Sequence, residues 1–333
     1  MREENKRKAL PLVSICCLTY NHEAFIKDAL EGFLGQRTDF DFEILVYDDA
    51  STDRTADIIR EYARREPERI RPLLQEENQY SQGVTNPSGA FNFPRARGKY
   101  IAMCEGDDYW TDPDKLQRQV DYLESHPGCS LCIHSARILT VDGSRSDRRM
   151  RPYRGNKRIR PEQVIDKACG YATASMVFPS RLVKSLPSYY TDCPVGDIPL
   201  QLLAAAEGYG YYIDQDMSVY RVGVAASWTA QGKQGDYAEK QKRYQEQMKR
   251  TYQEFDKATG RRFHEAAKSA ARRIWFLTKV NTRCYDVVTD RRYQNYYREL
   301  TLRTRFYIRM EIWFPRLYQW LAERAQRERG QKG

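Results

Sequence analysis

The chain has 333 residues and a formal net charge of +10, from 55 Lys and Arg against 45 Asp and Glu. Residues 257–333 hold 19 basic and 7 acidic side chains, a charge of +12, and the rest of the chain holds 36 basic and 38 acidic side chains, a charge of −2. The positive charge therefore belongs to the C-terminal segment, and we expect no nucleic-acid partner for the body of the protein. An apolar fraction of 41% excludes disordered and fibrous classes.

No stretch of the sequence approaches the roughly 18 to 20 apolar residues that a membrane-spanning helix needs. The N-terminal residues 1–8 are highly charged, and no apolar segment follows them as it would in a secretory signal peptide. We therefore expect a cytoplasmic protein.

Short apolar runs alternate with helical patterns from residue 12 onward. The run over 12–18 predicts a buried strand, and the apolar face that follows it predicts a helix ending before Gly35. Further strands are predicted over 42–47, 70–74 and 99–104, with a helix between the second and the third. This order predicts an α/β fold with a mostly parallel central sheet and helices on both faces.

The later part of the chain changes in character. Residues 145–160 are rich in Arg and Lys and predict an exposed loop, and from about residue 236 the chain is basic and helix-forming. We predict a charged N-terminal segment over 1–10, a single domain over 11–230 and a helical, basic C-terminal extension over 231–333.

Polar clusters follow three of the predicted strands, at 19–21, 48–49 and 105–108. In open α/β sheets the carboxyl ends of parallel strands meet in one crevice, where ligands bind. The carboxylates of Asp107 and Asp108 are crowded, which is typical of groups that hold a divalent cation such as Mn²⁺ or Mg²⁺, although a surface turn with helix-capping aspartates is the alternative. Asp49 could contact a base or a ribose, or could serve only at a helix start.

Three motifs together resemble the family 2 inverting glycosyltransferases of the GT-A fold. They are the segments Val13–Asn21, Phe42–Asp53 and Gly98–Trp110, and they occur in the order and spacing of that family. The resemblance covers about residues 10–230. It implies a nucleotide-diphospho-sugar transferase fold, with a nucleotide-binding half over 11–115 and an acceptor half over 116–230.

The resemblance assigns nucleotide-sugar binding to seven residues of the nucleotide-binding half. These candidates are Thr19, Tyr20, Asn21, Asp49, Asn78, Arg97 and Asp107. It also implies that Asp107 and Asp108 lie at the metal, and that Asp197 is the catalytic base. His22 could approach the nucleotide, with a role at a helix start as the alternative.

Two positions depart from the family pattern. Gly223 stands where close relatives often have a His that helps to hold the metal or the diphosphate, and Glu105 stands where Asp is more usual. Because Gly223 has no side chain to offer, Arg221 becomes a candidate for binding the phosphate charge instead.

These motifs predict a metal-dependent enzyme that transfers a sugar from a nucleotide-diphosphate donor, a UDP-sugar in the first instance, to a saccharide or a lipid-linked glycan in cell-surface polysaccharide synthesis. A nucleotidyltransferase is one alternative, but it normally needs a Gly-rich loop with Lys or Arg after the first strand, which residues 18–21 do not provide. A non-catalytic protein that binds polyanions or membranes through the basic C-terminus is the other.

The C-terminal extension mixes aromatic and apolar residues with arginines. The apolar members are Phe306, Tyr307, Ile308, Met310, Ile312, Trp313, Phe314, Leu317, Tyr318, Trp320 and Leu321, and the arginines among them are Arg303, Arg305, Arg309, Arg316 and Arg324. This composition suits either peripheral contact with the inner face of the cell membrane or a helix that packs on the protein itself.

Overall fold

The computed structural model describes residues 10–141, 148–167, 170–225, 236–320 and 324. Most of the predicted N-terminal segment 1–10, part of the basic loop 145–160 and Leu321 lie outside these residues. The chain divides into two units, one comprising the chain up to Asp236 with Gln247–Ala270, and one comprising Tyr237–Glu246 with the chain from Ala271 on. The boundaries predicted at residues 10 and 230 stay predictions.

The first unit contains one sheet, whose strands number ten in the described part of the chain. They are β1 (Val13–Thr19), β2 (Phe42–Asp48), β3 (Ile70–Leu74), β4 (Tyr100–Glu105), β5 (Tyr109–Trp110), β6 (Cys129–Thr140), β7 (Arg149–Met150), β8 (Lys157–Ile159), β9 (Val177–Pro179) and β10 (Tyr209–Val222).

In the described part of the first unit, six α-helices lie wholly within that unit, and two longer ones have residues in both units. The six are α1 (Ile26–Leu34), α2 (Thr55–Arg65), α3 (Lys115–Ser125), α4 (Pro161–Asp166), α5 (Ser188–Thr191) and α6 (Asp197–Glu207). The two longer helices are α7 (Tyr237–Ala258) and α8 (His264–Asn281).

The strand order is β3-β2-β1-β4-β9-β6-β10-β5, with β7 beside β6 and β8 beside β10. The pairs β1–β2, β1–β4, β2–β3 and β6–β10 are parallel, and the short strands β5, β7, β8 and β9 pair antiparallel. The predicted α/β fold is therefore confirmed, but the sheet is mixed beyond β4. Strands of two or three residues are too short to give a clear periodic signal, so the sequence did not reveal them.

The sheet buries both of its faces because its strands are apolar at successive positions. Alternate residues of β1, such as Val13 and Ile15, pack in a core with the apolar faces of α1, α2 and α3. On the opposite face, Tyr47 of β2 stacks on Phe91, with ring centroids 4.9 Å apart. This burial fixes the strand ends, and with them the polar segments that follow.

The second unit is helical, which confirms the predicted helical character of the C-terminal region. It contains α9 (Asp286–Thr289), α10 (Gln294–Glu299) and α11 (Leu302–Trp313), and residues 315–320 are helical as well. Its core consists of Phe276, Val287, Val288, Tyr297 and Ile308. Among the described residues, no helix is both long and apolar enough to cross a bilayer.

Candidate active site

The segments that follow β1 and β2 are tied together at the carboxyl edge of the sheet. Thr19 is buried, and its Oγ1 donates to Asp48 Oδ1 at 2.7 Å and to the Tyr47 carbonyl at 3.2 Å. The Asp48 carboxylate also accepts from the backbone N and from Oγ of Ser51, at 3.0 and 2.6 Å. Asp48, for which no separate role was predicted from the sequence, therefore holds the two strand ends in register.

Two residues at this edge adopt left-handed backbone conformations, Asn21 with φ 53° and Ala50 with φ 57°. Asn21 Oδ1 accepts from the backbone N of Thr52 at 2.8 Å, and its own N donates to Ser51 Oγ at 2.9 Å. Tyr20 beside it is half-buried. Since Ala rarely adopts positive φ, contacts between the two loops hold a conformation that the local sequence would not choose.

Asp49 anchors the loop that follows β3. Its Oδ1 accepts from Tyr47 Oη and from the backbone N of Gln79, both at 2.8 Å, and its Oδ2 accepts from the backbone N of Tyr80 at 3.1 Å. Asn78 Nδ2 donates to the Asp49 carbonyl at 3.1 Å. The structure thus brings together two residues that the sequence assigned to nucleotide binding, Asp49 and Asn78.

The acidic segment after β4 begins with a turn that requires glycine. The backbone N of Gly106 donates to the Leu18 carbonyl at 2.8 Å, which pulls the turn against the end of β1. A Cβ at this position would lie 2.5 Å from Thr19 Cγ2 and 3.1 Å from His22 Nδ1. Because only glycine permits this approach, Gly106 sets the position of the carboxylates that follow it.

Arg221, at the end of β10, holds the acidic segment in place. Its backbone N donates to Asp108 Oδ1 and its Nη1 donates to the Asp107 carbonyl, both at 2.8 Å. Its Nη2 bonds Asp28, and its guanidinium lies 4.4 Å from the centre of the Tyr109 ring. Since Arg221 is only 8% exposed and its Nη atoms are engaged, these contacts make it a support for the acidic segment, and a phosphate contact stays a prediction.

Asp108 retains one carboxylate oxygen with no partner. Oδ2 is buried without a hydrogen bond, and burial together with the charges of Asp107 and Glu105 raises the pKa of Asp108 well above its ordinary value. Within the described residues, no group of three or more His, Cys, Asp or Glu side chains is arranged to hold a metal ion. Gly223 has φ 91° and faces open space, so it adds no ligand. The unpartnered oxygen nevertheless fits a cation that takes its other ligands from a bound molecule.

Asp197 is the first residue of α6, and it lies within electrostatic reach of the acidic segment. Burial raises the pKa of Asp197 above its ordinary value, more than the hydrogen bonds from backbone N–H groups at the helix start lower it. Burial, then the charges of Asp107 and Asp197, raises the pKa of Glu105 to about 8. The structure therefore places the candidate base within electrostatic reach of Glu105, although the two residues lie far apart in the sequence.

His22 lies beside the turn at Gly106. It is 7% exposed, its Nε2 lies 4.0 Å from Asp107 Oδ2, and its Nδ1 has no hydrogen-bond partner. Burial lowers the pKa of His22, against the opposing effect of the nearby carboxylates. The backbone N of His22 donates to Thr55 Oγ1 at 2.8 Å, so the residue also joins the start of α1 to the start of α2.

The structure does not place Arg97 with the other candidates. Its backbone N and Nε donate to the carboxylate of Glu43, both at 2.9 Å, and Glu43 also accepts from Ser14 Oγ and Arg71. Glu43 lies near the beginning of β2, at the edge of the sheet opposite Asp49. The assignment of Arg97 to the nucleotide pocket is corrected accordingly, because a residue just before β4 cannot reach the carboxyl ends of the strands.

Asn86 links the loop after β3 to the segment before Asp197, and no role was predicted for it from the sequence. Asn86 is 8% exposed, and its Nδ2 donates to the carbonyls of Tyr190 and Cys193 at 2.8 and 3.0 Å. A Cβ at Gly196 would lie 2.8 Å from Asn86 Oδ1. Asn86 therefore holds the segment that leads into α6. This role is visible only in contacts between residues that are far apart in the sequence.

The raised pKa of Glu105 predicts a pH dependence of stability in the cation-free protein. An unfolded Glu has a pKa of about 4.3, so between that value and about 8 the folded state binds the extra proton and stability falls as the pH rises. Glu105→Gln should remove this component. Thermal unfolding in a chelator should be measured at pH values from about 5 to 9. The melting temperature of the wild type minus that of Glu105→Gln should fall as the pH rises. The exposed Glu77→Gln serves as a matched control, and a parallel response of both variants would contradict the prediction.

A family model described as glycosyl transferase family 2 matches residues 14–180, which is half of the chain and contains the three motifs apart from Val13. The chain belongs to glycosyl transferase family 2. The resemblance on which the sequence interpretation rests is thereby confirmed.

Curated relatives agree with this membership. An uncharacterised protein of Mycobacterium tuberculosis (strain H37Rv) is 37% identical over 224 residues, which cover 65% of this chain and 60% of the relative. The matched region thus spans about 60% of that relative's length. TuaG of Bacillus subtilis, named as a glycosyltransferase of teichuronic acid biosynthesis, is 31% identical over 138 residues, 41% of this chain and 52% of TuaG.

Solved structures share the fold at low sequence identity. Residues 1–349 of S. aureus TarS, in complex with UDP-GlcNAc, superpose with a TM-score of 0.60 at 16% identity, over 86% of this chain and 78% of that one. The mannosyltransferase PcManGT of Pyrobaculum calidifontis, in complex with GDP-Man and Mn²⁺, gives a TM-score of 0.54 at 16% identity, over 92% and 85%. Both likenesses support the GT-A fold.

Proposed function

We propose that this glycosyltransferase moves a sugar from a nucleotide-diphosphate donor to a saccharide or a lipid-linked glycan, with inversion at the anomeric carbon. The observation that carries the proposal is that Asp49 and the carboxylates of 105–108 follow the parallel strands β2 and β4 at one edge of the sheet. Asn78 contacts Asp49 there, and Asp197 lies within electrostatic reach of Glu105. A UDP-sugar is the expected donor. The nucleotide sugars bound by TarS and PcManGT, UDP-GlcNAc and GDP-Man, support a nucleotide-sugar donor in general.

Asp197 is proposed as the base. It accepts the proton of the acceptor hydroxyl while that oxygen forms a bond to the anomeric carbon, and the bond from this carbon to the diphosphate oxygen breaks with its electron pair leaving on the diphosphate. A single displacement of this kind inverts the anomeric centre. The raised pKa of Asp197 makes its carboxylate a stronger proton acceptor than an exposed aspartate.

Asp107 and Asp108 are proposed to hold a divalent cation, Mn²⁺ or Mg²⁺, together with the donor diphosphate. A bound cation stabilises the negative charge that develops on the leaving diphosphate. The unpartnered Asp108 Oδ2 supports this role, because a buried carboxylate oxygen without a partner is costly unless a cation or a proton neutralises it. Gly106 and Arg221 hold Asp108 in position for that contact.

Cell-surface polysaccharide synthesis is the proposed setting, and the name of TuaG supports it. The proposed location is the cytoplasm, with peripheral contact of the C-terminal extension with the inner face of the cell membrane. A nucleotidyltransferase is disfavoured by the family membership. A solely polyanion-binding role leaves the buried carboxylates of 105–108 without an explanation.

Titration calorimetry with UDP, UDP-GlcNAc and GDP-mannose, each with and without Mn²⁺, tests the proposal. We expect at least one nucleotide sugar to bind in a cation-dependent manner and to release its nucleotide slowly on incubation. A nucleotidyltransferase would instead form pyrophosphate from UTP and a sugar phosphate. If no nucleotide sugar binds while heparin or RNA binds tightly, the proposed function is wrong.

A further inference from the structure

Exposed apolar side chains are concentrated in one part of the second unit. Among the described residues, eight of the eleven large apolar side chains that are exposed lie between 302 and 320. They are Leu302, Phe306, Tyr307, Ile312, Trp313, Phe314, Leu317 and Trp320, with exposed fractions between 39% and 77%. Single exposed apolar residues need no explanation, but eight of them between residues 302 and 320 point to a contact surface.

The arrangement of these residues on α11 explains why they are exposed. Leu302, Phe306 and Trp313 have the spacing i, i+4 and i+11, which places them within about 40° of one another around the helix axis. Ile308 lies on another side and is 4% exposed, in the core with Phe276. Helix α11 therefore packs on its own unit through Ile308 and leaves a second apolar face in solvent.

Positive charge accompanies this face. Between 302 and 320 the sequence contains four arginines, at 303, 305, 309 and 316, and a single acidic residue, Glu311. The Glu311 carboxylate accepts from Tyr285 Oη at 2.7 Å and pairs with Arg283 Nη1 at 3.2 Å. The acidic charge is thus engaged within the unit, and the surface around Phe306 and Trp313 has a positive excess.

An anionic lipid surface matches this combination better than the other possible partners. Nucleic acid or heparin would use the arginines but would leave Leu302 and Leu317 in water. Trp side chains are favoured at the boundary between lipid headgroups and acyl chains, where the ring has apolar surroundings and the indole N–H stays hydrated. Arginines beside them can bind lipid phosphates, and each contributes about 1 kcal/mol near an anionic surface.

We propose that the exposed side chains of Leu302, Phe306 and Trp313 on α11, with those of Leu317 and Trp320 in the helical residues 315–320, are a peripheral anchor that inserts at headgroup depth into an anionic bilayer. The neighbouring arginines contact the lipid phosphates. This inference deepens the location given in the proposed function, since it names the surface and the lipid chemistry that hold the enzyme beside a lipid-linked acceptor.

Vesicle cosedimentation of the full chain tests the anchor, with phosphatidylcholine vesicles containing about 30% phosphatidylglycerol against phosphatidylcholine alone. We expect binding to the anionic vesicles, a loss of binding at high salt, and a blue shift of tryptophan emission on binding. The double variant Phe306→Ser/Trp313→Ser should bind at least about tenfold more weakly, because it removes two large apolar side chains from the inserted face. A matched control is Leu10→Ser/Val141→Ser, which changes two exposed apolar residues outside the face.

Three outcomes would overturn the anchor. One is the absence of binding to the anionic vesicles, and another is equal vesicle binding by the double variant and the wild type. The third is self-association that the double variant abolishes while lipid binding is undetectable, which would make the face an interface between two copies. The anchor and the proposed transfer reaction are tested independently. Asp197→Asn should bind vesicles like the wild type, and Phe306→Ser/Trp313→Ser should still bind nucleotide sugar in solution.

Discussion

Asp197→Asn is expected to reduce sugar transfer by about 10²- to 10⁴-fold while leaving donor affinity close to that of the wild type. The amide keeps the shape of the side chain at the start of α6, but it cannot accept the proton of the acceptor hydroxyl. A loss of kcat with little change in the dissociation constant for the nucleotide sugar would separate this role from binding. Transfer kinetics and calorimetry on the same preparation measure the two quantities.

Asp192→Asn provides the matched control. Asp192 is an exposed aspartate shortly before α6, and it is the alternative base if Asp197 does not act. We expect its amide variant to retain transfer activity. Near-wild-type turnover in Asp197→Asn, together with a large loss in Asp192→Asn, would move the base assignment to Asp192.

Asp108→Asn is expected to change donor binding and stability in opposite directions. The variant keeps an oxygen that can accept from the backbone N of Arg221, but it loses the charge that would bind the cation. Cation-dependent donor affinity should fall by at least about 10- to 100-fold, a range that loss of outer-sphere partners alone can reach. The cation-free variant should melt at a higher temperature than the wild type near pH 8, because it removes a buried carboxylate whose charged form the folded protein disfavours.

Thermal unfolding with a chelator and nucleotide-sugar titration with Mn²⁺ give the two readouts for Asp108→Asn. Asp57→Asn is a suitable control, since Asp57 is an exposed residue of α2 that pairs with Arg60 at 2.8 Å. Weaker donor binding combined with a lower melting temperature would indicate a general structural defect. In that event Asp108 would have a structural role only.

The polar segments at the ends of β1, β2 and β4 could be found from the sequence because their signals are local. A run of apolar residues specifies each strand, and the residues directly after it must emerge at the carboxyl edge whatever the rest of the chain does. The positions of Asp49, Asp107 and Asp108 just after β2 and β4 were predicted in this way. The short antiparallel strands β5 and β7 were not, since two residues have no periodicity to detect.

Long-range packing decided the roles of the remaining residues. Arg97 was assigned to the nucleotide pocket by its position beside β4, but the direction of that strand places it with Glu43 at the opposite edge. Asn86 gains its role only because the segment before Asp197 passes beside it. Neither relation is encoded within a few residues of sequence.

The sequence by itself determined the family, the α/β order of the first half and the positions of the acidic clusters, because strand periodicity and turn chemistry depend on neighbouring residues. The tertiary structure alone decided that Arg221 supports the acidic segment, from 113 positions away from Asp108, and that Asp197 lies within electrostatic reach of Glu105. It also showed that the +12 of the C-terminal segment includes arginines beside an exposed apolar face of α11. Such relations depend on which surfaces pack together, and packing is a property of the whole folded chain.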